Sequence, residues 1–231
     1  MINTSKIYKM RVVFCVSENG PKRQDTLDTM RNIIVHSGLD YTPAKINKRW
    51  PRLSYGPLVG RGQIARREYI DIYLKTSVLP QQVCKQLNDA SPQGVSVLEV
   101  QRVPYALASL QQLATAAVYT IEGDFVNYTP QQTIEDWITA DSIEVVEQAS
   151  NGIRLTTNIR PFIRSARSLG EYKIELTLSP VAEKWINPLV YVYAWLGINI
   201  IGPLAELTDE RFKVIREGLY WQDSLGNLYL I

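Results

Sequence analysis

Residues Glu68–Leu74 read Glu-Tyr-Ile-Asp-Ile-Tyr-Leu, and this stretch decides the fold of the first half of the chain. Its side chains alternate in character, so that Ile70, Ile72 and Leu74 share one face while two tyrosines and an aspartate share the other. A period of two is typical of a half-buried strand. We therefore predict a strand here, with its aliphatic face against a core.

The elements around this strand predict the order strand, helix, strand, strand, helix, strand. A strand at Tyr8–Val16 comes first, followed by a helix from Leu27 that Asp25 would cap and Gly38 would end. An irregular hairpin then runs from residue 45 to residue 67. After the Glu68–Leu74 strand come a short helix beginning at Pro80 and a strand at Val95–Val103.

The second half predicts the same order. Its elements are strands at Ala116–Glu122, Ser142–Gln148, Ile153–Ile159, Lys173–Leu178 and Phe212–Trp221, a helix from Thr129 whose apolar face carries Ile134, Trp137 and Ile138, and a helix beginning near Asn187. The predicted fold class is α+β, with two tandem ferredoxin-like (βαββαβ) units, each an antiparallel sheet with two helices on one face. Residues 1–108 would form a basic domain and residues 109–231 an acidic one.

Charge is unevenly distributed along the chain. The net charge of 231 residues is only +2, but residues 1–115 carry +8 and residues 116–231 carry −6. Such asymmetry indicates a domain that faces nucleic acid, joined to a domain with another task. The alternative is that the two halves attract each other across an internal interface.

One tract concentrates the positive charge. Between Lys45 and Arg67 there are seven basic residues, two aromatic ones and no acidic one. Lys and Arg neutralise phosphates, and aromatic rings stack on unpaired bases, so the tract predicts a binding surface for single-stranded or loop RNA. The predicted nucleic-acid-binding residues are Lys45, Lys48, Arg49, Trp50, Arg52, Tyr55, Arg61, Arg66 and Arg67. The alternative is a solvated surface hairpin whose long side chains cover apolar surface.

Two further features allow two interpretations each. Tyr69 and Tyr73 lie either side of Asp71 on one strand face, where they could stack on RNA bases. We favour burial of both rings under the second domain, because the carboxylate would repel phosphate. A second basic group, Arg154, Arg160, Arg164 and Arg167, could extend the binding surface or belong to a solvated loop.

His36 is the single histidine and therefore the one side chain whose ordinary pKa suits a general base near neutrality. Its helical phase places it opposite the apolar face that begins at Leu27, which predicts an exposed side chain. The sequence favours a protein without catalytic activity, with His36 as the alternative catalytic residue.

Other classes of protein fit the composition poorly. Cys15 and Cys84 each lie in an apolar run and predict buried small side chains; with one histidine they predict no metal site and no cofactor. No apolar run approaches a membrane span, and the start of the chain lacks the apolar segment of a signal peptide. We expect a cytoplasmic protein without membrane contact; the oligomeric state stays open.

A set of short motifs runs along most of the chain: Gly20-Pro21, Leu27-Asp28, Pro51–Tyr55, Gly56–Gly60, Glu68–Asp71 and Arg216–Tyr220 followed by Gly226. In these motifs the chain resembles the family of radical-SAM-linked proteins of unknown function, which occur beside, or fused to, B12-binding radical-SAM proteins. Two elements depart from the family: Asp25-Thr26 stands where relatives have Ser-His, and Asn47–Trp50 stands where they have Gly-Phe-x-Pro. Family members commonly lie near genes for ribonuclease E/G and ribosomal proteins, which implies a role linked to RNA.

Three functional hypotheses follow. The first is an RNA-binding accessory protein that presents rRNA or tRNA to a radical-SAM partner, with the acidic second half docking protein. The second is a metal-independent endoribonuclease similar to those that process CRISPR repeats, with His36 as the base. The third is a protein-protein adaptor that binds no RNA.

Overall fold

A computed structural model describes residues 7–20, 26–60, 62–128, 130–148, 154–200 and 202–231. The chain divides into two compact units. The first comprises Met1–Val59 and Ala65–Ala114, and the second comprises Gly60–Ile64 and Thr115–Ile231.

The first unit is built on a four-stranded antiparallel sheet. Its elements are β1 (Tyr8–Val16), α1 (Thr26–His36), β2 (Leu53–Tyr55), β3 (Ile64–Leu74), α2 (Pro80–Asp89), β4 (Val95–Val103) and the single turn α3 (Leu110–Leu113). The strand order is β4-β1-β3-β2. In the β1 to β3 register, Arg11 lies opposite Asp71 and Lys9 lies opposite Tyr73.

One face of this sheet holds the core of the first unit. Aliphatic side chains from alternate positions of β1 and β3, among them Val12 and Ile72, pack with Met30 of α1 and Leu87 of α2.

Two local signals fix the helix ends. Pro80 occupies the first turn of α2, where its missing N–H costs nothing, and Gly38 follows α1 with φ +76°, a conformation that glycine adopts without strain.

The described residues of the second unit form seven strands in two sets. Its elements are β5 (Ala116–Gly123), the single turn α4 (Ile134–Trp137), β6 (Glu144–Gln148), β7 (Arg154–Asn158), β8 (Ile163–Gly170), β9 (Lys173–Leu178), α5 (Pro188–Leu196), β10 (Phe212–Gln222) and β11 (Leu228–Leu230). Antiparallel pairing gives the order β8-β9-β5-β10-β11, and β6 pairs with β7 as a separate hairpin. Asn187 caps α5 by accepting a hydrogen bond from the N–H of Leu189.

The prediction of two tandem ferredoxin-like (βαββαβ) units is wrong. The second unit has a five-stranded antiparallel sheet and a detached hairpin, with α5 as its one helix longer than a single turn among the described residues. Two misread segments account for the error. Residues 163–170, where no strand was predicted, form β8, and the helix expected from Thr129 is reduced to α4.

The reduction of α4 has a visible cause. Thr133 Oγ1 accepts a hydrogen bond from the N–H of Asp136 at 3.1 Å, so the helix begins after Thr133, later than the sequence predicted. The first cap predicted for it, Thr129, lies outside the described residues, as does Asp25, the cap predicted for α1. Strands β1, β4 and β9 have the bounds that the sequence predicted.

Candidate nucleic-acid interface

The first part of the basic tract forms a tight hairpin between α1 and β2. Its two sides are joined by hydrogen bonds from the N–H of Ala44 to the carbonyl of Trp50 (2.8 Å) and from the N–H of Arg52 to the carbonyl of Thr42 (2.7 Å). The N–H of Trp50 closes the turn on the carbonyl of Asn47 at 3.0 Å. We call residues Lys45–Arg49, which these bonds enclose, the hairpin tip.

The turn is further fixed by side chains. Asn47 Oδ1 accepts a hydrogen bond from the N–H of Arg49 at 3.0 Å, and the hydroxyl of Tyr41 donates to the carbonyl of Arg49 at 3.2 Å. Tyr41 itself pairs with Leu74 at the end of β3. The tip is thus held on the edge of the sheet by bonds at both of its ends.

Every side chain of the hairpin tip is exposed to solvent. Lys45, Lys48 and Arg49 contribute three positive charges, and no carboxylate of the described residues lies within ion-pair distance of any of them. Ile46 is the apolar member, with a relative exposure of 102%. The tip therefore combines unneutralised charge with one uncovered aliphatic side chain.

Trp50 lies at the base of the hairpin tip and is half-buried. The guanidinium carbon of Arg31 on α1 is 5.9 Å from the centre of the Trp50 ring, near the outer limit of a cation–π contact. Tyr55, at the end of β2, is exposed. Successive side chains of β2 point to opposite faces of the sheet. Tyr55 therefore lies on the same face as Leu53, which packs against the core, and Arg52 lies on the other face.

Arg52 lies on the sheet face opposite α1 and α2, which we call the polar sheet face. Its other ionic and phenolic members are Lys9, Arg11, Arg67, Tyr69, Asp71, Tyr73 and Glu99. The guanidinium of Arg52 lies 4.2 Å from the centre of the Tyr73 ring and donates to the hydroxyl of Tyr105 at 3.0 Å. Burial raises the pKa of Tyr73, although the Arg52 charge opposes this. Arg52 thus joins the sheet to the segment after β4.

The last two basic residues of the tract differ in their surroundings. Arg67 donates from Nε to the hydroxyl of Tyr69 at 3.2 Å and forms an ion pair with Glu99 at 3.6 Å. The hydrogen bond to Tyr69 is the main reason that the pKa of Arg67 is raised. Arg66 is exposed, and Arg61 lies outside the described residues.

The polar sheet face contains a buried ion cluster that sequence reasoning missed. Asp71 is fully buried and accepts from Arg11 Nε at 2.9 Å and from Lys9 Nζ at 3.1 Å. Lys9 also donates to the carbonyl of Leu107 at 3.0 Å. The available signal was the alternation of two cations, Lys9 and Arg11, along an otherwise apolar strand. Because Asp71 is neutralised, its charge does not oppose an anion as we had inferred.

Tyr69 and Tyr73 are both buried, as the favoured interpretation predicted. Their rings are therefore not available as a stacking platform on this face. In the first unit, Tyr105 approaches Tyr73 edge to face with ring centres 6.0 Å apart, so the segment after β4 covers part of the ring.

His36 is exposed at the end of α1, as its helical phase predicted. Its Nδ1 lies 2.7 Å from the carbonyl oxygen of Asn32, one turn earlier in the same helix, so that nitrogen carries the proton. No carboxylate among the described residues orients the ring, which a general base of the triad type requires.

The second basic group does not form a cluster of uncommitted charges. Arg160 donates to the carbonyl of Ile163, Arg164 donates to Gln222 Oε1, and Arg167 forms an ion pair with Glu175 at 2.8 Å. Arg154 is exposed on β7. Arg164 and Arg167 lie in β8, so the solvated loop that was one of the two interpretations does not describe them.

Two searches of the described ranges concern other classes of site. No helix there has both the length and the hydropathy that a membrane-spanning segment needs. No group of three or more His, Cys, Asp or Glu side chains is placed so that it could hold a metal ion.

Comparison with known proteins gives one match. A search of curated proteins finds none that matches the chain. A family model matches residues 49–188, which is more than half of the sequence and includes Pro51–Tyr55, Gly56–Gly60 and Glu68–Asp71. The match begins within the hairpin tip, at Arg49, and covers Arg52, Tyr55 and Arg67. The chain belongs to the DUF2344 family of uncharacterised proteins conserved in bacteria.

Proposed function

We propose that this protein is an RNA-binding accessory protein that works with a radical-SAM enzyme in the metabolism or modification of rRNA or tRNA. The hairpin tip would make the main contact with RNA phosphates. The single observation that carries the proposal is that Lys45, Lys48 and Arg49 are exposed within five residues and have no carboxylate partner among the described residues.

The electrostatics of the hairpin tip support an anionic partner. Three like charges so close together repel one another, and this cost disappears when phosphates approach and release their counterions. The cations of the polar sheet face differ, because Lys9, Arg11 and Arg67 already have carboxylate partners in the first unit. The phosphate contacts would therefore be made by the cations of the hairpin tip.

Two aromatic side chains of the basic tract support RNA over other polyanions. Trp50 is half-buried under Arg31, and Tyr55 is exposed at the end of β2. Aromatic side chains near a basic groove are typical of proteins that bind single-stranded nucleic acid, where each base stacked on a ring contributes about 1–3 kcal/mol. These rings would hold unpaired bases while the tip holds the backbone.

The radical-SAM partner rests on the resemblance of the motifs that lie within the matched region. The chain contains two cysteines, fewer than the three that hold a radical-generating iron–sulfur cluster, so the chemistry would belong to a second protein. In this arrangement the present chain would bind the RNA and position it for the partner.

Charge reversal at the hairpin tip tests the proposal. The variant Lys45→Glu, Lys48→Glu, Arg49→Glu should lower the affinity for a tRNA transcript at least about tenfold in a filter-binding assay, because three phosphate contacts are lost. A matched control, Lys75→Glu, Lys85→Glu, Lys184→Glu, changes the net charge by the same amount at other exposed positions. Equal losses in the two variants would show that only net charge matters, and an unchanged affinity in the tip variant would refute the proposal.

The radical-SAM association needs a separate measurement. A radical-SAM protein encoded beside the gene should form a complex with the purified chain in size-exclusion chromatography, in the presence of the RNA or without it. Failure of this protein to associate under either condition would remove the partner from the proposal and leave RNA binding to stand on the first experiment.

A further inference from the structure

Ile46 is the most exposed large aliphatic residue of the described chain, and its position makes the exposure unusual. It lies in the hairpin tip just before the turn that Asn47 and Trp50 close, between Lys45 and the pair Lys48 and Arg49, with a relative exposure of 102%. Burying an isoleucine side chain contributes about 1.5–3 kcal/mol relative to leaving it in water. At this site none of that free energy is used by the fold.

The hairpin tip is well suited to present this side chain to a partner. Hydrogen bonds of Ala44, Trp50 and Asn47 fix the turn, so little backbone order remains to be gained on binding. Isoleucine is β-branched and holds one preferred side-chain rotamer more firmly than leucine or methionine. The hairpin tip is therefore a short, stiff projection and not a flexible loop.

The surrounding charge restricts the kind of partner. An apolar groove on another protein would gain binding free energy by burying Ile46. It would also have to pair the three cations near Ile46 or leave them in water, because burying an unpaired charge is costly. A nucleic acid offers an apolar contact for Ile46 and counter-charges for the cations, since its phosphates lie beside an apolar base stack. Proteins that bind nucleic acids insert single aliphatic side chains between base steps and unstack them, at a cost of a few kcal/mol per step.

The cost of insertion depends on the state of the bases. Unstacking is cheapest where a base is mismatched or already unpaired, and RNA recognition concentrates on bulges, loops and ends for this reason. We infer that Ile46 is an apolar wedge that enters bound RNA at a bulge or another unstacked step, while the flanking cations hold the phosphates. This inference rests on the proposed function and names the class of RNA that the same site would select.

Two matched RNA hairpins test the inference. They are identical except that one carries a single bulged adenosine, and both carry 2-aminopurine at the position after it. Wild-type protein should bind the bulged hairpin about tenfold more tightly by fluorescence anisotropy, which is the lower part of the range expected for burying one isoleucine. Binding should also raise the 2-aminopurine fluorescence, because the base next to the wedge loses its stacking partner.

Variants at position 46 isolate the role of the isoleucine side chain. Ile46→Ser should bind both RNAs with the affinity that the wild type has for the paired one, and the fluorescence rise should be lost. Ile46→Leu keeps the apolar volume and should retain most of the preference for the bulge. Both variants should unfold at the wild-type temperature, because the side chain at position 46 is fully exposed.

The possible outcomes separate the inference from the proposed function. Salt-sensitive binding of both RNAs with equal affinity, or an Ile46→Ser variant that keeps the bulge preference, would overturn the wedge and leave RNA binding intact. No binding to either RNA would overturn both. Binding to phosphatidylserine vesicles that Ile46→Ser abolishes, with no preference for the bulge, would assign the tip to a membrane surface and overturn the wedge.

Discussion

The hairpin tip and the polar sheet face are both rich in cations, but they use them differently. On the polar sheet face, Lys9 and Arg11 hold the buried carboxylate of Asp71, and Arg52 lies over Tyr73. At the tip, Lys45, Lys48 and Arg49 have no acidic partner in the described part of the chain. A count of basic residues therefore does not define a binding surface, because cations that stabilise the fold are already neutralised.

Removing the carboxylate from the polar sheet face should have the largest effect. Asp71→Asn leaves Lys9 and Arg11 buried without a counter-charge, and breaking a buried ion pair in this way costs about 3–5 kcal/mol of the free energy of unfolding. Urea denaturation measures the loss. Asp89→Asn removes an exposed partner of Lys85 and serves as a control, with an expected cost of about 0.5 kcal/mol or less. A cost below about 1 kcal/mol for Asp71→Asn would contradict the distinction between the two regions.

Arg52 should have an intermediate effect. Arg52→Ala removes the contact with the Tyr73 ring and the hydrogen bond to Tyr105, which together contribute about 1–2 kcal/mol. Arg52→Lys keeps the charge but loses the planar guanidinium, so it should recover only part of the stability measured by urea denaturation. Full recovery by lysine would mean that charge alone matters at this position.

The hairpin tip should contribute little to stability. The variant Lys45→Ala, Lys48→Ala, Arg49→Ala should change the free energy of unfolding by about 0.5 kcal/mol or less, since the replaced side chains are exposed and form no ion pairs with described residues. Differential scanning calorimetry provides the measurement. A marked destabilisation would indicate that the tip belongs to the folded framework, as the cations of the polar sheet face do.

His36 should have the smallest effect. Its exposed ring contacts the backbone of its own helix and has no orienting carboxylate in the described residues. His36→Ala should leave both RNA affinity and the integrity of a labelled RNA unchanged on a denaturing gel. Cleavage by the wild type that His36→Ala abolishes would revive the endoribonuclease hypothesis.

Strong local patterns predicted much of the first unit. Alternation along Tyr8–Val16 and Val95–Val103 gave both strands their observed bounds. In the second unit, β8 reads Ile-Arg-Ser-Ala-Arg-Ser-Leu-Gly and buries only Ile163 and Ala166, so it carries too few apolar side chains for a clear period of two. This weak strand, together with the helix expected from Thr129, led to the wrong fold class.

The candidate site was predictable to a similar degree. Charge located the whole tract from Lys45 to Arg67, because no acidic residue interrupts it, but it did not separate the tip from the rest. Charge could not show that Arg52 would meet Tyr105, 53 residues later, or that Lys9 would meet Asp71, 62 residues later, because such pairs form only once the sheet is assembled. The tract therefore splits between two regions that the sequence presents as one.

The salt dependence of RNA binding tests the central claim most directly. For a single-stranded RNA, the slope of log affinity against log salt changes by about 0.7 for each phosphate contact. If Lys45, Lys48 and Arg49 each contact a phosphate, their replacement by alanine should make the slope shallower by about 2. Identical slopes for the wild type and the triple variant would show that the hairpin tip does not bind RNA phosphates and would contradict the account.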